Sequence, residues 1–135
     1  MQVWKKVVVR LNGKIFEVRS LFDSGSSFTI MGYSALSSLF GEVEVKELAR
    51  AREVVLANGQ KVVIDGYMDS RIIIDGHMIE ERIYLSKDIV RKAVVEGREA
   101  LLPDVIIGSL TMETWGIELD LEREEVVIHG ASFIL

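Results

Sequence analysis

Residues 21–26, Leu21-Phe22-Asp23-Ser24-Gly25-Ser26, put a carboxylate, a hydroxyl, a glycine and a second hydroxyl at the end of an apolar run. An acid entered through Leu21 and Phe22 sits against a core and not at a polar loop tip. A carboxyl group fixed there can give or take a proton beside a reacting bond. Asp, Ser and Gly are also the commonest turn formers, so the same residues alone read as an ordinary turn with a satisfied carboxylate. A second stretch, Asp104-Val105-Ile106-Ile107-Gly108, brings an acid, apolar residues and a glycine together near the other end of the chain. The absence of Cys excludes thiolate nucleophiles, disulfides and cysteine metal sites. Only His77 and His129 are present, without His-x-x-x-His spacing, so no metal and no cofactor are expected.

The 135 residues fit one domain, 1–135, with a modest core. An apolar content of 49% and a mean hydropathy of +0.26 argue against disorder. A net charge of −5 and a pI near 5.1 argue against a nucleic-acid surface. No apolar run approaches the roughly 20 residues of a membrane helix, and Met1-Gln2-Val3-Trp4-Lys5-Lys6 leads into no signal-peptide pattern. A cytoplasmic protein without membrane partners is therefore expected. Asn and Gln are scarce while Glu, Lys, Arg, Ile and Val abound, a bias enriched in heat-adapted proteins.

The elements that must position Asp23 are mostly strands. Residues 3–11 read as a strand, Asn12-Gly13 as a hairpin turn, and Ile15 to Phe22 as the return strand that delivers the chain into the acid. Ser34 to Phe40 has helical spacing and stops at Gly41. Residues 42–52 are charged and read as a helical connection. A second hairpin, about Glu53 to Tyr67, turns at Ala57-Asn58-Gly59-Gln60, and a third, about Arg71 to Leu85, turns at Asp75-Gly76-His77. Segment 86–102 reads either as a short helix or as a surface insertion. Ser109 is placed as the N-cap of a helix through Trp115 that ends before Gly116. Two final strands follow, Ile117–Leu121 and Val126–Ile128, and the chain ends on Phe133-Ile134-Leu135. Trp4, Trp115 and Phe133 are read as core or subunit contacts. The result is a mostly-β fold with one or two short helices.

In this order the motifs resemble those of the retropepsin-like aspartic proteases, over nearly the whole chain. Leu21 to Ser26 resembles the family's apolar-apolar-Asp-Thr/Ser-Gly-Ala/Ser motif. Leu56-Ala57-Asn58-Gly59-Gln60 through Gly66 resembles its flap hairpin. Pro103-Asp104-Val105-Ile106-Ile107-Gly108 resembles its second loop motif. The resemblance implies a closed, barrel-like β fold with a flap, and an endopeptidase acting on peptide or protein substrates. Segment 86–102 is longer than the matching link of the compact viral enzymes, and the tip at residues 57–60 is less glycine-rich than viral flaps.

The family's chemistry needs two carboxylates around one water, one accepting its proton while the other protonates the carbonyl oxygen. Two carboxylates about 3 Å apart cannot both ionise, which separates the acid and base roles. This chain carries one Asp-Ser-Gly, so the resemblance implies a homodimer with Asp23 contributed by each subunit. It also implies that the Gly25 N–H donates to the carboxylate, that Ser24 hydrogen-bonds across the two-fold axis, and that Ser26 adds a further hydrogen bond. Ala57, Asn58, Gly59 and Gln60 would cover an extended substrate. Asp104, with Ile106, Ile107 and Gly108, reads as structural. Met1–Lys5 and Ser132–Leu135 would interleave at the subunit interface. The competing reading is a non-catalytic dimer of the same fold that binds extended peptides or a partner protein.

Overall fold

The computed structural model describes residues 1–129. β1 (Gln2–Leu11) and β2 (Lys14–Asp23) form an antiparallel hairpin whose register runs from Leu11 opposite Lys14 to Gln2 opposite Asp23. Its turn residues Asn12 and Gly13 have φ of 48° and 78°, the paired positive values that match the twist of the flanking strands. β3 (Ile30–Gly32) leads into α1 (Tyr33–Phe40), which buries Ala35, Leu36 and Phe40. β4 (Lys46–Val55), β5 (Lys61–Ile74) and β6 (His77–Ser86) make two successive hairpins that share β5. A small hairpin, β7 (Lys92–Val95) and β8 (Arg98–Leu101), precedes β9 (Val105–Ile107). α2 (Ser109–Trp115) and the pair β10 (Ile117–Asp120) and β11 (Glu125–Ile128) complete the described chain.

Seven strands form one sheet in the order β1-β2-β9-β3-β6-β5-β4, and a further pairing of β1 with β5 closes six of them into a ring. The length of β5 makes this possible. Its first half pairs with β4, while Arg71, Ile72 and Ile73 pair with Arg10, Val9 and Val8 of β1. Side chains alternating inward from these strands, among them Val7, Val9, Phe22, Ile72, Ile83, Leu85 and Ile107, fill the ring. A second, smaller cluster of Ile30, Val54, Leu56, Val62, Ile64 and Ile106 lies beneath the β4–β5 hairpin and fixes it over the end of β2. The base of that hairpin is also tied to α1. The Tyr33 hydroxyl donates to Asp65 Oδ1 at 2.6 Å. Burial first, then that bond and the charges of Asp65 and Glu47, push the Tyr33 phenol above the ordinary tyrosine range. Its folded value is raised, so this contribution to stability is complete below the usual tyrosine value and is lost only in strongly alkaline solution.

Three sequence expectations change. Residues 46–55 form a strand and not a helical connection: pairing with β5 overrides the helical preference of Ala, Leu, Glu and Arg. β4 is mostly exposed and carries a register shift between Glu47 and Arg52, and its charged residues discourage pairing with another chain. Within 86–102 the insertion is a hairpin without helix, turning at Glu96 and Gly97 with φ of 51° and 75°. α2 is capped by Gly108 and not by Ser109, which is its first helical residue, and no side chain caps it. The N-terminal stretch pairs along one edge with β2 of its own chain from Gln2 onward, because the Asn12-Gly13 turn carries its register to the strand end. Ser132–Leu135, including Phe133, lies outside the described residues.

Candidate active site

Asp23 ends β2 with its side chain 4% exposed. Parallel pairing of Leu21 with Ile106 and Phe22 with Ile107 brings the second loop motif alongside the first. The loop after Asp23 is then clamped by the start of α2. Ser26 O accepts from Ser109 N at 2.7 Å, Ser27 O accepts from Leu110 N at 3.1 Å, and Gly108 N donates to Thr29 Oγ1 at 3.2 Å. Thr29 and Thr111 join their hydroxyls at 2.6 Å beneath this crossing. Backbone groups left open at a helix start thus hold the Asp23 loop in place.

Both oxygens of Asp23 accept one hydrogen bond each, from Gly25 N to Oδ1 at 3.0 Å and from Gln2 Nε2 to Oδ2 at 3.0 Å. Among the described residues no cation forms an ion pair with this carboxylate. Ser24 is exposed, and its hydroxyl reaches only Met1 O at 3.5 Å. Ser26 departs from expectation. Its hydroxyl does not bond the carboxylate; Oγ is buried without any partner among the described residues, while Gln2 occupies Oδ2. Gln2 was invisible to sequence reasoning because only the hairpin register places it opposite Asp23.

Ala57, Asn58, Gly59 and Gln60 form the tip between β4 and β5. The tip is closed by Gly59 N to Leu56 O at 2.9 Å and Gln60 N to Asn58 Oδ1 at 2.9 Å. It rests on the Asp23 loop: a Cβ on Gly25 would lie 2.7 Å from the Ala57 Cβ. Tip and loop enclose a cavity of about 200 Å³ whose lining includes Asp23, Ser26, Ala57, Asn58, Gln60 and Ile106. Trp4, 53% exposed, lines it as well, so it is a surface residue of the cavity and not part of the core.

Of the second motif, Ile106 reaches the cavity, while Ile107 and Gly108 pack behind it. Asp104 does neither. Its Oδ1 accepts from Arg91 Nε at 3.0 Å and its Oδ2 from Arg19 N at 2.9 Å. A larger groove of about 610 Å³ lies elsewhere, between the Asn12-Gly13 turn and β5–β6, and includes no residue of the Asp23 loop. Its charges are largely matched, Arg71 to Glu80 at 3.7 Å and Arg82 to Asp69 at 3.7 Å. His77 is exposed at the start of β6, and His129 pairs with Glu118 at 3.1 Å.

No family model matches the chain, and no curated protein matches it in sequence. Its fold is that of retroviral protease-like domains. The retroviral protease-like domain of Ddi1 from Leishmania major matches with a TM-score of 0.56 and 18% identity, over 95% of this chain and 87% of its own. EIAV protease, complexed with the inhibitor HBY-793, matches with a TM-score of 0.58 and 16% identity, over 90% of this chain and 94% of its own. The chain therefore has a retropepsin-like fold. No helix among the described residues is long and apolar enough to cross a membrane.

Proposed function

We propose that the protein is an aspartic endopeptidase that works as a homodimer, with one Asp23 from each subunit activating a shared water. The observation that carries this reading is the Asp23 carboxylate itself. It is buried at the floor of a cavity, held by two neutral amide donors and, among the described residues, matched by no cation. A buried carboxylate left in this state has its charge available to an incoming proton, water or second carboxylate. The partner's Asp23 would supply that second carboxylate, and close approach of the two would split their titrations into an acid and a base.

The surrounding groups then have assigned tasks. The Gly25 N–H and the Gln2 amide orient the carboxylate, and the tip at residues 57–60 covers an extended peptide and excludes water. Ser24, exposed at the edge of the loop, would bond to its counterpart in the partner.

The test is cleavage of a mixed peptide library by the protein and by Asp23→Asn, from about pH 3 to 7, with molar mass measured alongside. Cleavage by a dimer, reduced about a thousandfold or more in Asp23→Asn, is the expected outcome. A folded dimer that binds peptides but cleaves none at any pH would replace this reading with a peptide-binding module.

A further inference from the structure

One of the two groups that hold the Asp23 carboxylate comes from outside its own loop. The β1–β2 register sets Gln2 opposite Asp23, one pair beyond the buried Val3 and Phe22. The contact continues past the strand end, where Ser24 N donates to Met1 O at 3.1 Å. The backbone on both sides of the Gln2–Asp23 pair is thereby fixed, and the side chains of directly opposed residues lie within reach of each other. Gln2 Nε2 donates to Asp23 Oδ2 at 3.0 Å. Oδ1 is held within the loop and accepts from Gly25 N at 3.0 Å. Gln2 and Asp23 both line the cavity, and Gln2 Oε1 makes no hydrogen bond among the described residues.

A backbone N–H only donates, so Oδ1 remains an acceptor whether Asp23 is ionised or protonated. The proton of a protonated Asp23 therefore belongs on Oδ2, beside Gln2. A side-chain amide suits both states of that oxygen. Its N–H donates to a carboxylate, and after half a turn about its terminal torsion its Oε1 accepts from a carboxylic acid O–H. Lys or Arg in this place would donate only and favour the ionised acid, while a carboxylate would accept only and favour the protonated one. The other titratable group lining the cavity, Asp88, accepts from Val63 N at 2.7 Å. The tip residues and Ile106 carry no charge, and Arg19 and Arg91 are committed to Asp104. Among the described residues the Met1 amino group forms no ion pair with Asp23.

We infer that Gln2 is a positioning residue that serves both protonation states of Asp23, donating to Oδ2 of the ionised acid and accepting from the Oδ2–H of the protonated one. Two chemically identical subunits must supply one Asp23 of each kind, and a two-way partner lets them do so without any other difference between them. A proton then leaves Oδ2 of one Asp23 for the substrate carbonyl, and a proton from water arrives on Oδ2 of the other. Gln2 itself gains and loses no proton; the two amides exchange orientation. The catalytic consequence rests on the endopeptidase reading above, whereas the bond between Gln2 and Asp23 does not.

Gln2 and Gln60 are the only glutamines of the chain, so protein made with isotope-labelled glutamine shows two side-chain amide signals by NMR, told apart with Gln2→Met. The Gln2 signal is expected to move between about pH 3 and 7 and to stop moving in Asp23→Asn. In peptide cleavage, Gln2→Met keeps the side-chain length without the donor or the acceptor and is expected to lower kcat about tenfold with KM unchanged. Gln2→Glu is the sharper variant. Only its protonated form offers an O–H and a carbonyl as the amide does, so the upper limb of its pH–rate profile is expected to move down by about one unit. Melting temperatures verify that each variant is folded. A Gln2 signal indifferent to Asp23, an unchanged kcat in Gln2→Met, or an unchanged profile in Gln2→Glu would each overturn the inference. If cleavage is still lost in Asp23→Asn, the endopeptidase reading survives that failure. A Gln2 signal that follows Asp23 in a dimer that cleaves nothing would keep the two-way bond and remove the endopeptidase reading instead.

Discussion

Asp23 and Asp104 occupy matching places in the chain, each before a glycine and a short helix, and are buried to the same depth, 4% and 3% exposed. Their surroundings differ in one respect. Asp104 meets two guanidinium groups, Arg91 at 3.0 Å and Arg19 at 3.8 Å, and its charge is consumed in fastening β2 and the insertion to the second loop. Asp23 meets two neutral amides, and its charge is left unmatched among the described residues. A buried charge is stable when paired inside the protein and chemically available when it is not. Depth and motif are thus insufficient to tell the two carboxylates apart. The sign of the neighbouring groups makes the distinction.

The comparison breaks most easily on stability. Asp104→Asn leaves two half-buried arginines facing a neutral amide and is expected to lower unfolding free energy by about 3 kcal/mol in urea titration. Asp23→Asn removes no ion pair and is expected to leave stability unchanged or raised. Equal losses in the two variants would abolish the distinction.

The two glycines sharpen it further. A Cβ on Gly108 would lie 2.5 Å from Phe28 O and 2.6 Å from Ser27 O, backbone atoms of the clamped loop that cannot move aside cheaply. Gly108→Ala is expected to cost about 2 kcal/mol. On Gly25 the obstacle is Ala57 at the hairpin tip, so Gly25→Ala is expected to cost about 1 kcal/mol and to lift the tip. Hydrogen exchange at residues 57–60 would report that movement.

Much of this contrast was legible beforehand. Asn12-Gly13 and Asp75-Gly76 announce hairpins because their residue types tolerate positive φ, and the alternating strands follow from them. Glu96-Gly97 adopts the same kind of turn but lacks the Asn or Asp signal, so the β7–β8 hairpin stayed ambiguous with a helix. β4 was hidden for a different reason: Ala, Leu, Arg and Glu prefer helix, and only its long-range pairing with β5 makes it a strand. Asp23, Gly25 and the tip residues could be named from local pattern. Gln2, Ile89, Val90 and Leu102 could not, because register and insertion packing bring them to the cavity and no motif marks either.

Ser26 gives the smallest effect and the finest test of the difference between the two loops. The residue is 2% exposed and its hydroxyl has no partner among the described residues, whereas both carboxylate oxygens of Asp104 are engaged. An unsatisfied buried hydroxyl costs stability, on the order of 1 kcal/mol, that the smaller apolar side chain of alanine does not. Ser26→Ala is therefore expected to stabilise the protein by about that amount, read as a raised midpoint in urea titration. A stability loss would mean that the hydroxyl already has a partner in the free protein, and the Asp23 loop would then be as fully satisfied as that of Asp104.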